Sequence, residues 1–599
     1  MTEYATRTHA PQAIDHAVPA APDHALEATD PRANVLKFLS MLRRDRAPIL
    51  SAYATPLDFC LAVIDPDHAE AKAVAARAQL DGLDADMRDY AVSSAYALLI
   101  GDDRRKALSA YFTPPVLATA TLDAIRPFLE AGRAPTILDP ACGGGSFLVP
   151  TARRLIDAHV AAGLDITQAC AQATGQLQGI EVDPGLAALS GNLLGRMIRR
   201  EYGIQQDTSG IVRCANTLAT SLDHGFDLII GNPPYSKLFR SGLDQLTEAA
   251  GRADLGGHTN LYALFVIKAL DWLKPGGGLA FVLPTSFVAG PYFAGLRHEI
   301  RKRARVVELA MHQQREDLFI DATQDVCLLV LQRHGPGVAD DYHYRLGWID
   351  AAGQRTALGT ASAPADGEPW HLPVALAGTA TAHHHQLIAV NAASTLETYG
   401  YRIRVGKVVP TRERALLHAE HAEGRVPVLW ASDIRVNGSF RFQSGTRTGK
   451  FAWYAPINPE SAAYVCRGRA VLVQRTSNRD QRRRLNAAPV TKSFATQHKR
   501  DGYVAENHVI VLEPLSTTPM VSQEVLARLL NSEVVNARFS AVSGSFSVSA
   551  RLLARLALPD PSTLPELGDQ FDAALATAFA PIDGVLVASE TKGPSKDKA

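Results

Sequence analysis

The stretch DLIIGNPPYSKLF (residues 227–239) begins as a buried strand and ends on an Asn-Pro-Pro-Tyr motif. Two successive prolines cannot continue a strand, because neither has a backbone N–H to donate. The Asn232 side-chain oxygen and the carbonyls of Gly231 or Pro233 are acceptors that can together hold an exocyclic NH2 group. Tyr235 offers a face to a planar base. We therefore predict that an amino-group clamp is formed by Asn232, Pro233, Pro234 and Tyr235.

A glycine-rich turn, DPACGGGSF (residues 139–147), follows an earlier predicted strand and precedes a helix. Such a turn lets a ligand approach the backbone closely, and the helix N-terminus favours negative charge. The turn is neither GxGxxG nor followed by Gly-Lys-Ser/Thr, which disfavours NAD and ATP-phosphate sites. The next strand ends at Glu181, which can accept hydrogen bonds from both hydroxyls of a ribose, and a third ends near Asn216. Together these features predict a nucleoside-like cofactor.

The elements that must position these residues alternate between short β-rich runs and amphipathic helices. This alternation predicts an α/β fold with a doubly wound, mostly parallel sheet. The last two runs have no long helix between them, which predicts an antiparallel edge strand. All four polar segments follow successive parallel strands, and open α/β sheets bind ligands at those ends. The predicted strands lie at 136–138, 177–180, 210–212, 226–230, 279–283, 306–309 and 326–331.

The composition is that of an ordinary globular protein of 599 residues, with 46% hydrophobic and 20% charged residues. Its length predicts two or more domains. We predict a disordered tail at 1–33, an N-terminal helical segment at 34–108, a catalytic domain at 109–335, a connector at 336–395, a mixed α+β domain at 396–580 and a flexible tail at 581–599.

Charge and cysteine content narrow the possible environments. Lys plus Arg and Asp plus Glu both total 61, so any basic surface must be local. The six cysteines form no CxxC pair, which argues against structural zinc and fits a reducing cytosol. We find neither a signal peptide nor a membrane span, so we expect a cytoplasmic protein. The histidines at 383–385 are adjacent in a predicted loop and rarely converge there, so we predict no metal.

Four segments carry a resemblance to a known family: RKALSAYFTPP (105–115), the glycine-rich turn (139–147), Glu181 and GNPPY (231–235). Over about 105–335 the chain resembles the S-adenosylmethionine-dependent DNA adenine-N6 methyltransferases. The order of its motifs is similar to the gamma type, in which the cofactor motif precedes Asn-Pro-Pro-Tyr and a target-recognition domain follows. The resemblance implies a class I methyltransferase fold with a Rossmann-like, seven-stranded sheet. Residues 274–286 and the strand at 326–331 also look like family segments.

The resemblance assigns roles to individual residues. It implies cofactor binding by Tyr111, Thr113, Asp139, Ala141, Cys142, Gly143, Gly145, Glu181 and Asn216. The target base is expected to leave the duplex and to stack on Tyr235 and Phe319. Phe319 could equally be a core residue, since a lone phenylalanine is more often buried. Thr113 could instead cap a helix that begins at Pro114.

The sequence departs from the family pattern in two places. The family usually has Asp after the third strand, where this chain has Asn216. An amide oxygen still accepts a hydrogen bond, so we expect cofactor binding of altered strength. The spacing from Asp139 to Glu181 is also long for one helix, which predicts an inserted helix around 164–176.

The 396–580 domain matches recognition domains of type II modification enzymes more loosely, in segments 474–485, 506–508, 530–532 and 543–549. Residues 464–500 contain ten Lys or Arg and one Asp, which suits contacts with DNA phosphates. The run could also be only a solvated face. We predict DNA binding by Arg475, Arg479, Arg482, Arg483 and Arg484.

The sequence therefore predicts a site-specific DNA adenine methyltransferase that acts on double-stranded DNA. A separately encoded restriction endonuclease is a possible partner, since the residues before the catalytic domain are too few for a typical nuclease domain. Cytosine-N4 methylation would use the same clamp, although the family's cytosine enzymes more often carry Ser in place of Asn232. Methylation of a glutamine amide in a protein and DNA binding without catalysis are also compatible with parts of the sequence.

Overall fold

The computed structural model describes residues 30–129, 134–237, 260–313, 318–320, 324–335, 342–363, 366–373, 394–443, 451–476, 483–543, 548–564, 570, 571 and 575. Most of the two predicted tails and the histidines at 383–385 lie outside these residues. The first helix, however, begins at Pro31, inside the range predicted as a tail. Asp30 caps it by accepting from the Arg32 N–H, and Pro31 suits the first helical position.

The N-terminal segment is helical, as predicted. The apolar faces of all its helices except the last pack together and against the central sheet in one continuous hydrophobic core. Its helices are α1 (Pro31–Arg44), α2 (Arg46–Ala52), α3 (Pro56–Ile64), α4 (Ala71–Ala78), α5 (Ala85–Leu99) and α6 (Asp102–Leu108).

Helix α5 packs directly against the glycine-rich turn. The Ser93 hydroxyl donates to the Gly144 carbonyl at 3.4 Å. The Tyr96 hydroxyl donates to Asp183 Oδ1 at 2.6 Å, and Asp183 also pairs with Arg104 at 2.6 Å. A Cβ atom at Gly144 would overlap the Ser93 side chain. The helical segment is therefore part of the wall that supports the site.

The central sheet confirms the predicted doubly wound architecture. Its strand order is β3-β2-β1-β4-β5-β7-β6-β8-β9, and the first five strands in this order are parallel. The strands are β1 (Ile137–Asp139), β2 (Leu177–Glu181), β3 (Val212–Cys214), β4 (Phe226–Gly231), β5 (Leu273–Pro284), β6 (Ala304–His312), β7 (Val326–Arg333), β8 (His343–Ile349) and β9 (Arg355–Ser362).

The far side of the sheet differs from the sequence prediction. Strand β7 is antiparallel, as expected, but it lies between β5 and β6 rather than at an edge. Strand β8 pairs in parallel with β6, and β9 forms a hairpin with β8. The predicted connector at 336–395 therefore contains two strands that extend the seven expected ones. Strand β8 does alternate, at Tyr344, Leu346 and Trp348, but the predicted connector around it is rich in Gly, Ala and Pro, which favours loops.

Helices cover both faces of the sheet, as right-handed crossovers between parallel strands require. Helix α10 is the insertion predicted around 164–176. The helices are α7 (Pro115–Ala124), α8 (Arg126–Leu129), α9 (Leu148–Ala161), α10 (Ile166–Gly175), α11 (Pro184–Tyr202), α12 (Leu261–Trp272), α13 (Ser286–Ala289) and α14 (Ala294–Arg303).

The C-terminal region is a mixed α+β unit with two four-stranded sheets, ordered β10-β17-β14-β15 and β11-β13-β12-β16. Its strands are β10 (Tyr401–Val405), β11 (Leu417–His418), β12 (Val426–Leu429), β13 (Trp453–Tyr454), β14 (Val471–Gln474), β15 (Ala487–Pro489), β16 (Val504–Ala505) and β17 (Val509–Pro514). Its helices are α15 (Pro459–Ala462), α16 (Lys492–Gln497), α17 (Gln523–Asn531), α18 (Glu533–Val542) and α19 (Ala550–Ala554).

The C-terminal region contacts the catalytic domain through both backbone and side chains. The Leu372 N–H donates to the Ala541 carbonyl at 2.7 Å, and Arg555 pairs with Glu368 at 2.6 Å. Ala289 of α13 belongs to the C-terminal hydrophobic core. These contacts join the two units along one side.

Within the described ranges, no single helix is long and apolar enough to cross a membrane. The pair Arg46–Ala52 and Pro56–Ile64 meets the length and composition test only when both helices are taken together, with a 90° bend between them. The same residues contain no group of three or more His, Cys, Asp or Glu arranged to hold a metal ion.

Candidate active site at the carboxyl ends of the strands

The strands that carry the site are held in register at their amino ends. The Asp227 carboxylate accepts hydrogen bonds from the backbone and side chain of Thr136, at 2.9 and 2.8 Å. It also pairs with Lys274 at 2.8 Å. This group connects β1, β4 and β5, so their carboxyl ends reach the same edge of the sheet. The Asn-Pro-Pro-Tyr motif therefore leaves β4 directly beside the glycine-rich turn.

The glycine-rich turn bends back over the end of β2. Its Gly143 has a φ of +51°, a left-handed conformation that favours glycine. The Gly143 N–H donates to Glu181 Oε2 at 3.0 Å, and the Asp183 N–H donates to Glu181 Oε1 at 2.9 Å. Burial raises the pKa of Glu181, while these two N–H groups lower it. Each carboxylate oxygen keeps a lone pair for a ligand hydroxyl.

Asp139 lies beneath the turn rather than in the open site. Its side chain is fully buried, and Oδ1 accepts from the Ala141 N–H at 3.0 Å. Burial raises its pKa to about 8, the Ala141 N–H opposes this rise, and the nearby Glu181 charge adds to it. A Cβ at Gly231 would lie 2.7 Å from Asp139 Oδ1, so the glycine before Asn232 lets β4 approach this carboxyl group.

A first cavity of about 390 Å³ opens at this edge of the sheet. Cavities of this size typically hold small-molecule ligands. Most predicted cofactor residues line it, while Asp139 and Gly145 support its wall from behind. The predicted residues that line it are Tyr111, Thr113, Ala141, Cys142, Gly143, Glu181 and Asn216.

A second cavity, of about 320 Å³, adjoins the first. Pro233 and Tyr235 of the predicted clamp line this cavity together with Phe319, which is only 4% exposed. The structure thus brings both predicted stacking residues into one cavity. The residues that line both cavities are Ser109, Tyr111, Asn232, Pro234 and Ser236.

Asn232 lies in the wall that the two cavities share, and hydrogen bonds hold its side-chain amide at both ends. Nδ2 donates to the Thr113 hydroxyl at 3.0 Å. Oδ1 accepts from the Tyr235 hydroxyl at 2.5 Å. Because a carbonyl oxygen has two lone pairs, Oδ1 can accept a second hydrogen bond from an incoming amine. This arrangement places an amine acceptor beside a ligand-sized cavity.

Several predicted residues have additional structural roles. Thr113 does not cap a helix, because α7 begins at Pro115 with Pro114 as its cap. The Asn216 side-chain oxygen accepts from the Leu218 N–H at 3.1 Å, while the residue lines the first cavity. Local turn chemistry thus fixes the amide at the position where the family usually has Asp.

Several residues that line the two cavities were not predicted from the sequence. Phe112 and Phe265 line the first cavity, whereas Lys106 and Gln324 line the second. Phe112 lies within the segment 105–115, between the predicted cofactor residues Tyr111 and Thr113, so it could have been found from its position. Phe265 belongs to α12, and its helical spacing is typical of any buried helix face.

The predicted DNA-binding arginines are only partly described, since Arg479 and Arg482 lie outside the described residues. Arg475 is half-buried and donates to the Asn507 carbonyl at 3.0 Å. Arg483 donates to the backbone carbonyls of Asn531 and Val436.

Arg484 is only 6% exposed and donates to the Ser543 hydroxyl at 3.4 Å. Asn531, from the 530–532 segment, exchanges two hydrogen bonds with the Ala487 backbone, at 2.9 and 2.7 Å. Part of this basic, motif-like sequence therefore supports the fold of the C-terminal region.

The first cavity has acceptor groups that suit the hydroxyl and amine groups of a nucleoside. Glu181 provides carboxylate oxygens at one end, and Asn216 lies exposed at the end of the next strand. A Cβ at Gly143 would lie 3.0 Å from the Phe112 ring, so only glycine keeps this part of the cradle open. The residues present therefore fit S-adenosylmethionine, since the Glu181 carboxylate provides acceptors of the kind that ribose hydroxyls require.

Comparison with known proteins identifies similar sequences. Residues 196–319 match the family model of the Eco57I restriction-modification methylase. The chain is 26% identical to the type II methyltransferase M.BsuBI of Bacillus subtilis over 355 residues, covering 57% of this chain and 67% of that protein. It is 28% identical to the type II methyltransferase M.XhoI of Xanthomonas vasicola over 169 residues, covering 27% of this chain and 30% of that protein.

Among solved structures, the chain resembles the protein in a cryoEM structure of a DrdV–DNA complex, with a TM-score of 0.50 and 13% identity. The match covers 92% of this chain and 68% of that one, and it concerns the fold alone. The matched sequence segment contains β3, β4 and the Asn-Pro-Pro-Tyr motif. Over this segment the chain is therefore similar to type II restriction–modification methyltransferases.

Proposed function

We propose that this protein is a site-specific DNA methyltransferase that transfers a methyl group from S-adenosylmethionine to the N6 amine of adenine. One observation carries the proposal: the Asn232 amide lies in the wall between two adjoining cavities. A methyl donor in the first cavity and a flipped base in the second would meet at this residue. The sequence relatives are named as type II methyltransferases, which supports the same reaction class.

The clamp acts on the target amine. Oδ1 of Asn232 and the Pro233 carbonyl accept hydrogen bonds from the two N6 hydrogens, which draws the nitrogen toward a tetrahedral geometry. The Tyr235 ring stacks on the base, and Phe319 contacts its other side. Because both acceptors are fixed before the base arrives, the reaction gains from positioning and from electrostatic stabilisation.

The cofactor supplies an electrophilic methyl group when bound. Glu181 accepts hydrogen bonds from the ribose hydroxyls, and Asn216 contacts the adenine end. The turn at 141–145 approaches the ligand with its backbone, and Tyr111 closes the methionine end together with Thr113. Asp139 supports this turn from below through the Ala141 N–H.

Adenine is the preferred base because the motif begins with Asn232 rather than Ser. The resemblance of residues 105–335 to adenine-N6 methyltransferases supports this choice. Methylation of the cytosine N4 amine is the competing outcome, because that amine fits the same clamp. The C-terminal region reads the DNA sequence, with Arg475 contacting double-stranded DNA. As the modification component of a restriction–modification system, the protein would protect sites from a separately encoded endonuclease.

The test is methylation-aware long-read sequencing of DNA from cells that express the protein, with Asn232→Ala as the matched control. N6-methyladenine at one short motif, absent from the control, is the expected result. If cytosine is modified at a motif instead, the target base is cytosine rather than adenine. If no base is modified, the DNA methyltransferase proposal fails, and methylation of a protein glutamine or DNA binding without catalysis takes its place.

A further inference from the structure

Thr113 contacts the catalytic motif from a distant part of the sequence. It lies just before α7, 3% exposed, and its hydroxyl accepts from Asn232 Nδ2 at 3.0 Å. Thr113 lines the first cavity but not the second. The nitrogen end of the Asn232 amide is therefore held on the cofactor side of the wall.

The oxygen end of the same amide points the other way. It accepts from the hydroxyl of Tyr235, a residue that lines the second cavity. The Tyr235 hydroxyl also lies 3.2 Å from the Val282 carbonyl at the end of β5. The Tyr235 phenol has one hydrogen, which it can donate either to Asn232 Oδ1 or to the Val282 carbonyl.

The orientation of this amide decides whether the clamp can work. Only the oxygen end accepts a hydrogen bond from an incoming amine, whereas the NH2 end would oppose it donor to donor. A small displacement of a group that contacts the reacting atom can lower the rate by about a hundredfold. A buried acceptor on the nitrogen end keeps the amide in the productive plane.

We propose that Thr113 is a positioning residue for methyl transfer, which anchors Asn232 Nδ2 so that Oδ1 faces the incoming amine. The Tyr235 hydroxyl uses one lone pair of Oδ1, and the second lone pair accepts from the incoming amine. This inference rests on the proposed function and gives Thr113 a role beyond contact with the cofactor.

The test compares Thr113→Val, which removes the acceptor at constant volume, with Thr113→Ser, which keeps it. Thr113→Ala is a second variant that removes the hydroxyl without any risk of overpacking. Thr121→Val is the matched control, because Thr121 is also buried but its hydroxyl donates only within α7, to Leu117 at 2.8 Å. Single-turnover methyl transfer to DNA is measured at saturating S-adenosylmethionine, with cofactor Kd measured by calorimetry.

Loss of the hydroxyl should lower the single-turnover rate at saturating S-adenosylmethionine by about tenfold to a hundredfold, a loss that weaker cofactor binding cannot explain at saturation. Thr113→Ser should recover most of this rate, and Thr121→Val should match the wild type. An unchanged rate in Thr113→Val and Thr113→Ala overturns the inference. A weakened Kd with a normal rate at saturation also overturns it, because Thr113 would then serve the cofactor alone.

A separate measurement does not depend on catalysis. The Asn232 side-chain amide signal, assigned in asparagine-labelled protein by its absence in Asn232→Ala, should shift in Thr113→Val and return in Thr113→Ser. An unshifted signal overturns the inference. If the wild type transfers no methyl group to DNA, the proposed function fails, while this signal still decides whether Thr113 holds Asn232.

Discussion

At the residue scale, each carboxylate oxygen of Glu181 accepts one backbone N–H, and the side chain lines the first cavity. Asn232 is arranged similarly, with its nitrogen end anchored and its oxygen able to accept one more hydrogen bond. Both groups are thus held in place before any ligand binds. This preorganisation separates two tasks, since Glu181 serves cofactor binding and Asn232 serves the transfer step.

We predict opposite phenotypes for Glu181→Gln and Asn232→Ala. Replacing one carboxylate oxygen with NH2 sets a donor against a backbone N–H and removes charge-assisted bonds worth about 1.5–3 kcal/mol. Cofactor binding should weaken by roughly tenfold to 150-fold. Asn232→Ala should bind the cofactor within about threefold of wild type and lose methyl transfer. Calorimetry together with a transfer assay distinguishes the two, and a normal transfer rate in Asn232→Ala would show that the clamp assignment is wrong.

The buried carboxyl group of Asp139 gives a second prediction at this scale. Burial raises its pKa to about 8, whereas an aspartic acid in an unfolded chain titrates near about 3.9. Between these values the folded protein holds a proton that the unfolded chain has lost, so stability falls as pH rises through this window. Asp139→Asn removes this contribution and keeps an acceptor for the Ala141 N–H.

Urea denaturation of wild type and Asp139→Asn at pH 5, 7 and 9 measures the effect. The wild type should lose more of its free energy of unfolding than the variant as pH rises. Identical pH dependence in the two proteins would mean that Asp139 is ionised in the folded state throughout.

At the element scale, α5 approaches both α11 and the glycine-rich turn so closely that Gly185 and Gly144 have no room for a side chain. A Cβ at Gly185 would overlap the Tyr96 hydroxyl and lie 2.7 Å from ring atom Cε2. Tyr96 is buried and donates to Asp183, so moving its ring away would break this hydrogen bond and disturb the core packing. Helical propensity alone would favour alanine here, and packing overrides it.

Gly185→Ala should therefore lower the free energy of unfolding by about 1–3 kcal/mol. Gly175→Ala is the matched control, since Gly175 also lies in a helix, α10, and a Cβ there would meet no atom within 4 Å. The control should be neutral or more stable by up to about 1 kcal/mol. Equal midpoints of chemical denaturation for the two variants would contradict this account of the α5–α11 contact.

At the scale of the whole molecule, the site edge of the sheet faces one way and the amino ends of the strands face the other. Strand β6 is antiparallel to β7, as β5 is, so Arg305 near the start of β6 lies on the edge opposite the site. Arg475 follows β14 in the C-terminal region, where its backbone N–H donates to the His508 carbonyl at 2.8 Å. Comparing Arg475 with Arg305 therefore tests whether DNA binds the C-terminal region rather than this edge of the sheet.

Arg475→Ala should weaken DNA binding and reduce the slope of log K against log salt by about 1, as expected for the loss of one phosphate contact. Arg305→Ala is the matched control and should leave both the affinity and the slope unchanged. Fluorescence anisotropy on a duplex across a salt series gives the values, and thermal midpoints report on folding. If the salt-dependence slope is unchanged in Arg475→Ala, Arg475 does not contact a phosphate and has only a structural role.

Local patterns by themselves determined the alternating architecture, the helix inserted before Glu181 and the two motifs at the ends of β1 and β4. These features follow from short-range rules, because strand ends, Gly-rich turns and prolines impose their conformations on immediate neighbours. The family resemblance, rather than any local rule, implied that Tyr235 and Phe319 act as partners, and the structure brings both into one cavity.

Only the tertiary structure decided which distant residues contact these motifs. The bond from Asn232 to Thr113, the packing of α5 on the turn and the burial of Arg484 all depend on long-range packing that no local pattern encodes. The β8–β9 hairpin was missed because the Gly-, Ala- and Pro-rich sequence around it favours loops, whereas its pairing with the edge of β6 depends on tertiary structure. Local residue chemistry thus specified the reactive groups, and packing fixed their orientation.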